Sequence, residues 1–206
     1  MPDNKPYIEQ IDRAINTLET LHIKVESVSA DSAYDTALIH KELEERELAV
    51  YMPKKDTSDS SKTEYKREDF IYDQEVDEFI CPNGQSLKLR CLQRLESGVF
   101  REYRTIPKVC RACPNHNKCL APSQKSRKIQ VNIFQSIVDK HHEADGSPEY
   151  DSALRKRQIW CEGTFAAQKA RHNLRGLFRR GLKAAEEHCL LSATALNLKR
   201  MVMCLG

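Results

Sequence analysis

Glu162 and Lys169 stand seven residues apart in Arg157-Gln158-Ile159-Trp160-Cys161-Glu162-Gly163-Thr164-Phe165-Ala166-Ala167-Gln168-Lys169, a stretch otherwise made mostly of apolar and small residues. Two helical turns separate them, so a helix here puts carboxylate and ammonium on one face, where both reach the same ligand. An acid and a base that converge on a phosphate need a metal ion between them. The plain alternative is a solvated ion pair between Glu162 and Arg157 or Lys169, which contributes little. Trp160, Phe165 and Ala166 weigh against it, because a carboxylate among core-type residues requires a cation. A second carboxylate, Asp31, follows the alternating segment Ile23, Val25, Val28 and so ends a predicted strand. From the end of a strand in an α/β sheet a carboxylate points into the crevice where ligands bind. Its alternative role is an N-cap for the helix that follows, which Asp35 fills equally well.

The third group with chemical potential is a run of cysteines. Cys81-Pro-Asn-Gly84 is followed by Cys110-Arg-Ala-Cys113 and then by Cys119. Four thiolates in a turn and a knuckle suit tetrahedral Zn²⁺, and the best set is Cys81, Cys110, Cys113 and Cys119, with Cys91 and His116 as substitutes. The first knuckle is incomplete, so buried or free thiols without metal remain the competing reading. Redox use of Cys110 and Cys113 fits less well, because Pro114 and Asn115 suggest a loop rather than the start of a helix. Cys161, Cys189 and Cys204 stand singly in helical patterns and are expected in the core.

Charge is local. The chain carries a net +3 over 206 residues, but residues 151–200 hold eleven Lys and Arg against four Asp and Glu, leaving the rest acidic. Such a distribution fits a phosphate-binding face better than a uniformly basic surface. Within it, His172-Asn-Leu-Arg175-Gly-Leu-Phe-Arg179-Arg180-Gly181 is a positive run broken by Leu and Phe, with two glycines and no acidic partner in sequence. Most such runs are solvated faces; these features favour phosphate contact. No charged-then-apolar leader opens the chain, and the apolar stretch from His188 to Gly206 is broken by Lys199 and Arg200, so a cytoplasmic, nucleoid-associated protein without membrane contact is expected.

The elements that must position these groups follow from periodicity. Ile8, Ile11, Ile15, Leu18 and Leu21 predict a helix over 6–21, and residues 22–29 a strand. A helix through Leu38, Leu43 and Leu48 and a short strand over 48–52, closed by Pro53, complete an α/β unit. Residues 54–69 read as a solvated linker. Phe70–Tyr72 and Glu78–Ile80 predict a hairpin at the start of a cysteine-rich segment, 70–135. A loop at 145–148 precedes a long helix over about 149–173, and a final helix over about 183–203 is apolar nearly all round and expected to be buried.

Taken in order, Ala30-Asp31-Ser32-Ala33-Tyr34-Asp35, the cysteine segment, the Glu162–Lys169 helix with Arg179-Arg180-Gly181, and Asn197-Leu-Lys-Arg200 resemble the DDE transposases of bacterial insertion sequences. The resemblance covers nearly the whole chain and is specific through the combination. It implies a ribonuclease-H-like α/β fold, made by residues 1–53 and completed by the helices of 136–206, with a cysteine-rich, zinc-binding insertion between. It implies Asp31 as the second catalytic Asp, Glu162 as the final Glu, both on catalytic Mg²⁺, and DNA contacts from Lys169, Arg171, His172, Arg175, Arg179 and Arg180. In-line attack on a phosphodiester uses one ion to generate the nucleophile and a second to stabilise the departing oxygen. DNA and other transposase subunits are the implied partners.

The sequence departs from the family pattern at Leu154, where Tyr is usual, and at Ala167, where an acidic residue is common. A larger departure concerns the first catalytic Asp, which should lie on the opening strand of the sheet. Only 30 residues precede Asp31, and Asp3 and Asp12 stand in the wrong context. The expectation is therefore a C-terminal portion of a transposase, inactive alone, whose sheet has an unpaired edge. The rivals are a non-catalytic DNA-binding or regulatory fragment, and a decayed product that does not fold.

Overall fold

The computed structural model describes residues 6–55 and 63–205. Asp3 and the middle of the expected linker lie outside the described residues. The fold is mixed α/β, with two compact units, Met1–Asp145 and Gly146–Gly206.

The first unit opens with α1 (Tyr7–Glu19), whose Ile8, Ile11 and Ile15 pack on a core of Tyr7, Val28, Ala30, Ile39, Leu43, Leu48, Val50 and Met52. Sequence periodicity predicted a longer strand next, over 22–29. Instead the chain folds back at the helix end, where His22 adopts a left-handed backbone (φ 59°) and the N–H groups of Leu21, His22 and Ile23 return to carbonyls of Leu18 and Glu19. This closure satisfies otherwise orphaned helix carbonyls. Strand β1 is therefore confined to Ser27–Ser29. A single 3₁₀ turn, Ser32–Tyr34, leads to α2 (Ala37–Glu44), which crosses over to β2 (Ala49–Tyr51). β1 and β2 pair in parallel, Val28 opposite Val50, and form a two-stranded sheet.

The expected hairpin is present as β3 (Ile71–Asp73) and β4 (Glu78–Ile80). It begins a five-stranded antiparallel meander continued by β5 (Ser86–Leu95), β6 (Gly98–Arg104) and β7 (Lys128–Asn132). Phe70, Phe79, Leu87, Tyr103 and Ile129 make its core, and Cys81 and Cys119 pack against them. Between β6 and β7 lie the short helices α3 (Pro107–Arg111) and α4 (His116–Cys119). Helix α5 (Gln135–His142) then packs on α2, returning the chain to the β1–α2–β2 unit.

The second unit begins with α6 (Pro148–Arg157). Ser147 caps it by accepting the Tyr150 N–H at 3.1 Å, Pro148 occupies its first turn, and Arg155, Lys156 and Arg157 lie in its last. These signals agree with the helix predicted from about 149. The helix continues through a π-helical turn, Gln158–Glu162, into α7 (Gly163–Arg171). The closing helix α8 (Leu182–Leu205) has the expected length but not the expected burial. Only Ser192 and Leu196 are buried on it, whereas Leu191 is 70% exposed and Leu190, Met201 and Val202 are also exposed. An all-round apolar helix needs cover on every side, and α7 touches one. Cys189 and Cys204 on this helix, and Cys161 on the π turn, were expected in the core and are exposed. Among the described residues no helix is long and apolar enough to cross a membrane.

Candidate functional site

Asp31 follows β1 at its C-terminal end. Its Oδ1 accepts the Ala33 N–H at 2.9 Å and so caps the 3₁₀ turn, while the residue itself is exposed. It caps this turn and not α2, whose N-cap position is Thr36, so the helix-capping role considered as its alternative is not the one it fills. Beside it, Tyr7 and Tyr34 stack with ring centroids 4.3 Å apart. Burial, then Tyr34 and the Asp31 charge, push the Tyr7 hydroxyl well above its usual range, and its buried oxygen has no hydrogen-bond partner.

Glu162 is the last residue of the π turn, 58% exposed at its side chain, with Arg157 Nη2 at 3.4 Å from its Oε1. The apolar surroundings expected from Trp160 and Phe165 do not enclose it: both rings are largely exposed, Trp160 at 62%. Arg200 lies over the Trp160 ring at 5.7 Å and donates to Thr164 Oγ1 at 2.9 Å, so one residue of α8 fixes both sides of the Glu162 turn. Lys169, Arg171, Arg175, Arg179 and Arg180 are all exposed, and His172 is half-buried. Arg179 pairs with Glu187 at 3.2 Å, a partner the sequence reading did not foresee because it lies on the next helix. Asp31 belongs to the first unit and Glu162 to the second.

Cys81, Cys110, Cys113 and Cys119 line one cavity of about 30 Å³ together with His116 and Arg127. The first knuckle is a tight turn in which the Gly84 N–H returns to the Cys81 carbonyl at 2.8 Å and the Gln85 N–H approaches Cys81 Sγ at 3.4 Å. It needs the left-handed backbone that Gly84 supplies (φ 70°). Burial raises the Cys119 thiol above its usual range; nearby Arg127 opposes this, and Cys110, Cys81 and Cys113 add to it. His116 lines the same cavity, with Nδ1 2.9 Å from the Cys110 carbonyl, a contact that engages one ring nitrogen only. Cys91 is exposed on β5, apart from the cavity.

A further constellation was not foreseen. The buried His40 of α2 places Nε2 2.8 Å from Asp35 Oδ1, and His142 of α5 places its Nε2 3.0 Å from the same oxygen. The ligand atoms of Asp35, His40 and His142 all lie within 4.8 Å of one another. Asp35 Oδ2 accepts the Lys55 N–H at 2.6 Å. Outward from this centre, His40 Nδ1 meets His141 Nδ1 at 2.8 Å, His141 Nε2 meets Glu44 at 2.8 Å, and His142 Nδ1 lies 3.2 Å from Asp145. Burial alone would raise the Asp35 carboxyl, but His40, the Lys55 N–H and His142 outweigh it and hold it at about 2, so it is an acceptor at neutral pH. Burial lowers the His141 imidazole, with Glu44 pulling the other way. The sequence signal was faint: a helix-start Asp, one His five residues later, and a His pair 101 and 102 residues beyond that.

Comparison with known proteins supplies the family. Neither the curated proteins nor the solved structures give a match. Residues 80–202, more than half of the chain, match the family model described as "Transposase DDE domain". That span holds the four clustered cysteines, the Glu162–Lys169 helix and most of α8, three of the four segments that carry the resemblance; the Asp31 turn lies upstream of it. The chain therefore belongs to the DDE transposase family.

Proposed function

We propose that the chain is the C-terminal portion of a DDE transposase, in which Asp31 and Glu162 are two of three carboxylates for Mg²⁺, and that it joins no DNA strands by itself. The observation that carries this reading is the family match over residues 80–202, with the Glu162 helix inside it and Asp31 at a parallel strand end upstream. The small parallel sheet supports it. Among the described residues β1 and β2 pair only with each other, which suits a ribonuclease-H-like part lacking its first strands. The donors also suit the ion, since both are exposed carboxylates and Mg²⁺ prefers oxygen ligands and retained water. Bound there, Mg²⁺ would supply charge stabilisation at the phosphodiester oxygens. Asp31, fixed through its Ala33 bond, and Glu162, fixed on the π turn, would position it. Lys169, Arg171, His172, Arg175, Arg179 and Arg180 would hold the DNA backbone, with other transposase subunits completing the assembly. Two carboxylates without a third leave the mutual repulsion of two divalent ions poorly screened, hence the inactivity.

Cys81, Cys110, Cys113 and Cys119 are proposed as Zn²⁺ ligands. Their convergence on one small cavity, with a backbone N–H directed at Cys81 Sγ, supports a sulfur-rich metal site there. Zinc would staple α3 and α4 to the root of β4 and β5.

A second reading, a DNA-binding or regulatory fragment without chemistry, is favoured by one observation: both carboxylates already have protein partners, Ala33 N–H and Arg157. One experiment separates the two. Duplex DNA binding by the purified chain is measured against salt, with Mg²⁺ and with chelator. The transposase reading expects Mg²⁺ to strengthen binding and Asp31→Asn with Glu162→Gln to remove that gain. Lys169→Ala and Arg175→Ala should each lower the salt slope by about 1. Binding indifferent to Mg²⁺ and to both carboxylates would establish the fragment reading. Strand cleavage or joining by the lone chain, lost in Asp31→Ala, would overturn the inactivity.

A further inference from the structure

We propose that Asp35, His40 and His142 form a binding site for a divalent first-row metal ion, best suited to Zn²⁺, that clamps α2 to α5. Three potential ligand atoms from two helices and the turn before α2 meet within 4.8 Å, and His40 and His142 are both buried. Two imidazole nitrogens and one carboxylate oxygen are the donors that zinc and its neighbours favour, in contrast to the all-oxygen preference of Mg²⁺. Each ligand is also held from behind. Asp145 lies on the far nitrogen of His142, His141 on that of His40, and the Lys55 N–H on the second oxygen of Asp35. Carboxylates or other acceptors behind ligating imidazoles are the usual support of metal sites, fixing both tautomer and ring orientation.

Counting hydrogens points the same way. His40 and His141 lie between two carboxylates, Asp35 and Glu44, which only accept, so each Nε2 must carry hydrogen. A neutral imidazole has just one. The 2.8 Å contact between the two Nδ1 atoms would then face lone pair to lone pair. A cation in place of the hydrogen on His40 Nε2 resolves this, because His40 Nδ1–H then donates to His141 Nδ1 and both rings stay neutral. An extra proton shared by the pair is the rival solution. The ion would join residues 107 positions apart, Asp35 and His142, across the entire five-stranded sheet segment. Such a clamp restrains the unfolded chain over a long loop and stabilises the fold on binding.

The test uses the full chain, stripped with chelator and titrated with Zn²⁺ while the imidazole nitrogens are followed by two-bond ¹H–¹⁵N spectra. The expected result is loss of the Nε2 hydrogen and a metal-bound shift at both His40 and His142, with His40 Nδ1 becoming protonated and His22 unmoved. Co²⁺ gives a second readout, because binding here adds d–d absorption without the sulfur charge-transfer band of the cysteine cluster. His142→Gln should abolish uptake at this site. Asp145→Asn, at a partly exposed position, should weaken it by about 10-fold. Nε2 hydrogens that persist on both rings at millimolar Zn²⁺, with equal metal uptake by wild type and Asp145→Asn, would overturn the metal site and leave a shared proton in its place.

Discussion

The two units of this protein hold their side chains in opposite ways. The first has a closed centre, although β5 and several loops stay exposed: Leu43 and His40 are fully buried, and the Asp35 network runs from Glu44 to Asp145 through four side chains. In the second, Trp160, Phe165, Phe178 and much of α8 present apolar surface, and Glu162 and the cations of α7 are exposed. The first unit's tertiary contacts therefore carry its stability. The helices of the second lean on capping and intrinsic propensity, and their apolar faces are the kind of surface that folded chains use for association.

That contrast can be broken most severely by core truncation. Leu43→Ala should cost about 3 kcal/mol in denaturant unfolding, whereas Leu191→Ala on α8 should stay within about 0.5 kcal/mol. Equal losses would erase the distinction. Acid should expose the polar half of the difference. Asp35 is held at about 2 against a usual 3.8, so its contribution is fully present above pH 4 and disappears as the pH falls through 2. About 2 kcal/mol is involved, to be read as the pH dependence of unfolding in chelator, and Asp35→Asn should flatten the curve over that window. The smallest effect belongs to the second unit. Ser147→Ala removes the cap of α6 and should lower stability by about 1 kcal/mol, with amide exchange accelerating first at Tyr150.

What could be read from the sequence follows the same division. Helices α1, α2 and α8, the β3–β4 hairpin and the cysteine convergence were legible, because short-range periodicity and knuckle spacing encode them. The strands β5 and β6 were not: Lys88, Arg90, Arg94, Arg101 and Arg104 interrupt the apolar alternation on a sheet with much of one strand exposed. The core role assigned to Trp160 and Cys161 failed because composition reports affinity for cover, while cover depends on which elements are present to provide it. The Asp35, His40 and His142 centre escaped notice for a different reason. Its two histidines belong to helices brought together only by the return of α5 after the whole sheet, and no local pattern records a pairing of that range.

The wide turn at Gln158–Glu162 shifts the helical phase of everything that follows it. A π turn holds one residue more than an α turn, so everything after it is rotated by about 100° relative to a uniform helix. Arg155, Lys156 and Arg157 before it and Lys169 and Arg171 after it thus fall on different meridians from those a simple helical wheel would assign. Removing a single residue within 158–162 would realign them, changing which cations flank the Glu162 carboxylate without altering any of their identities.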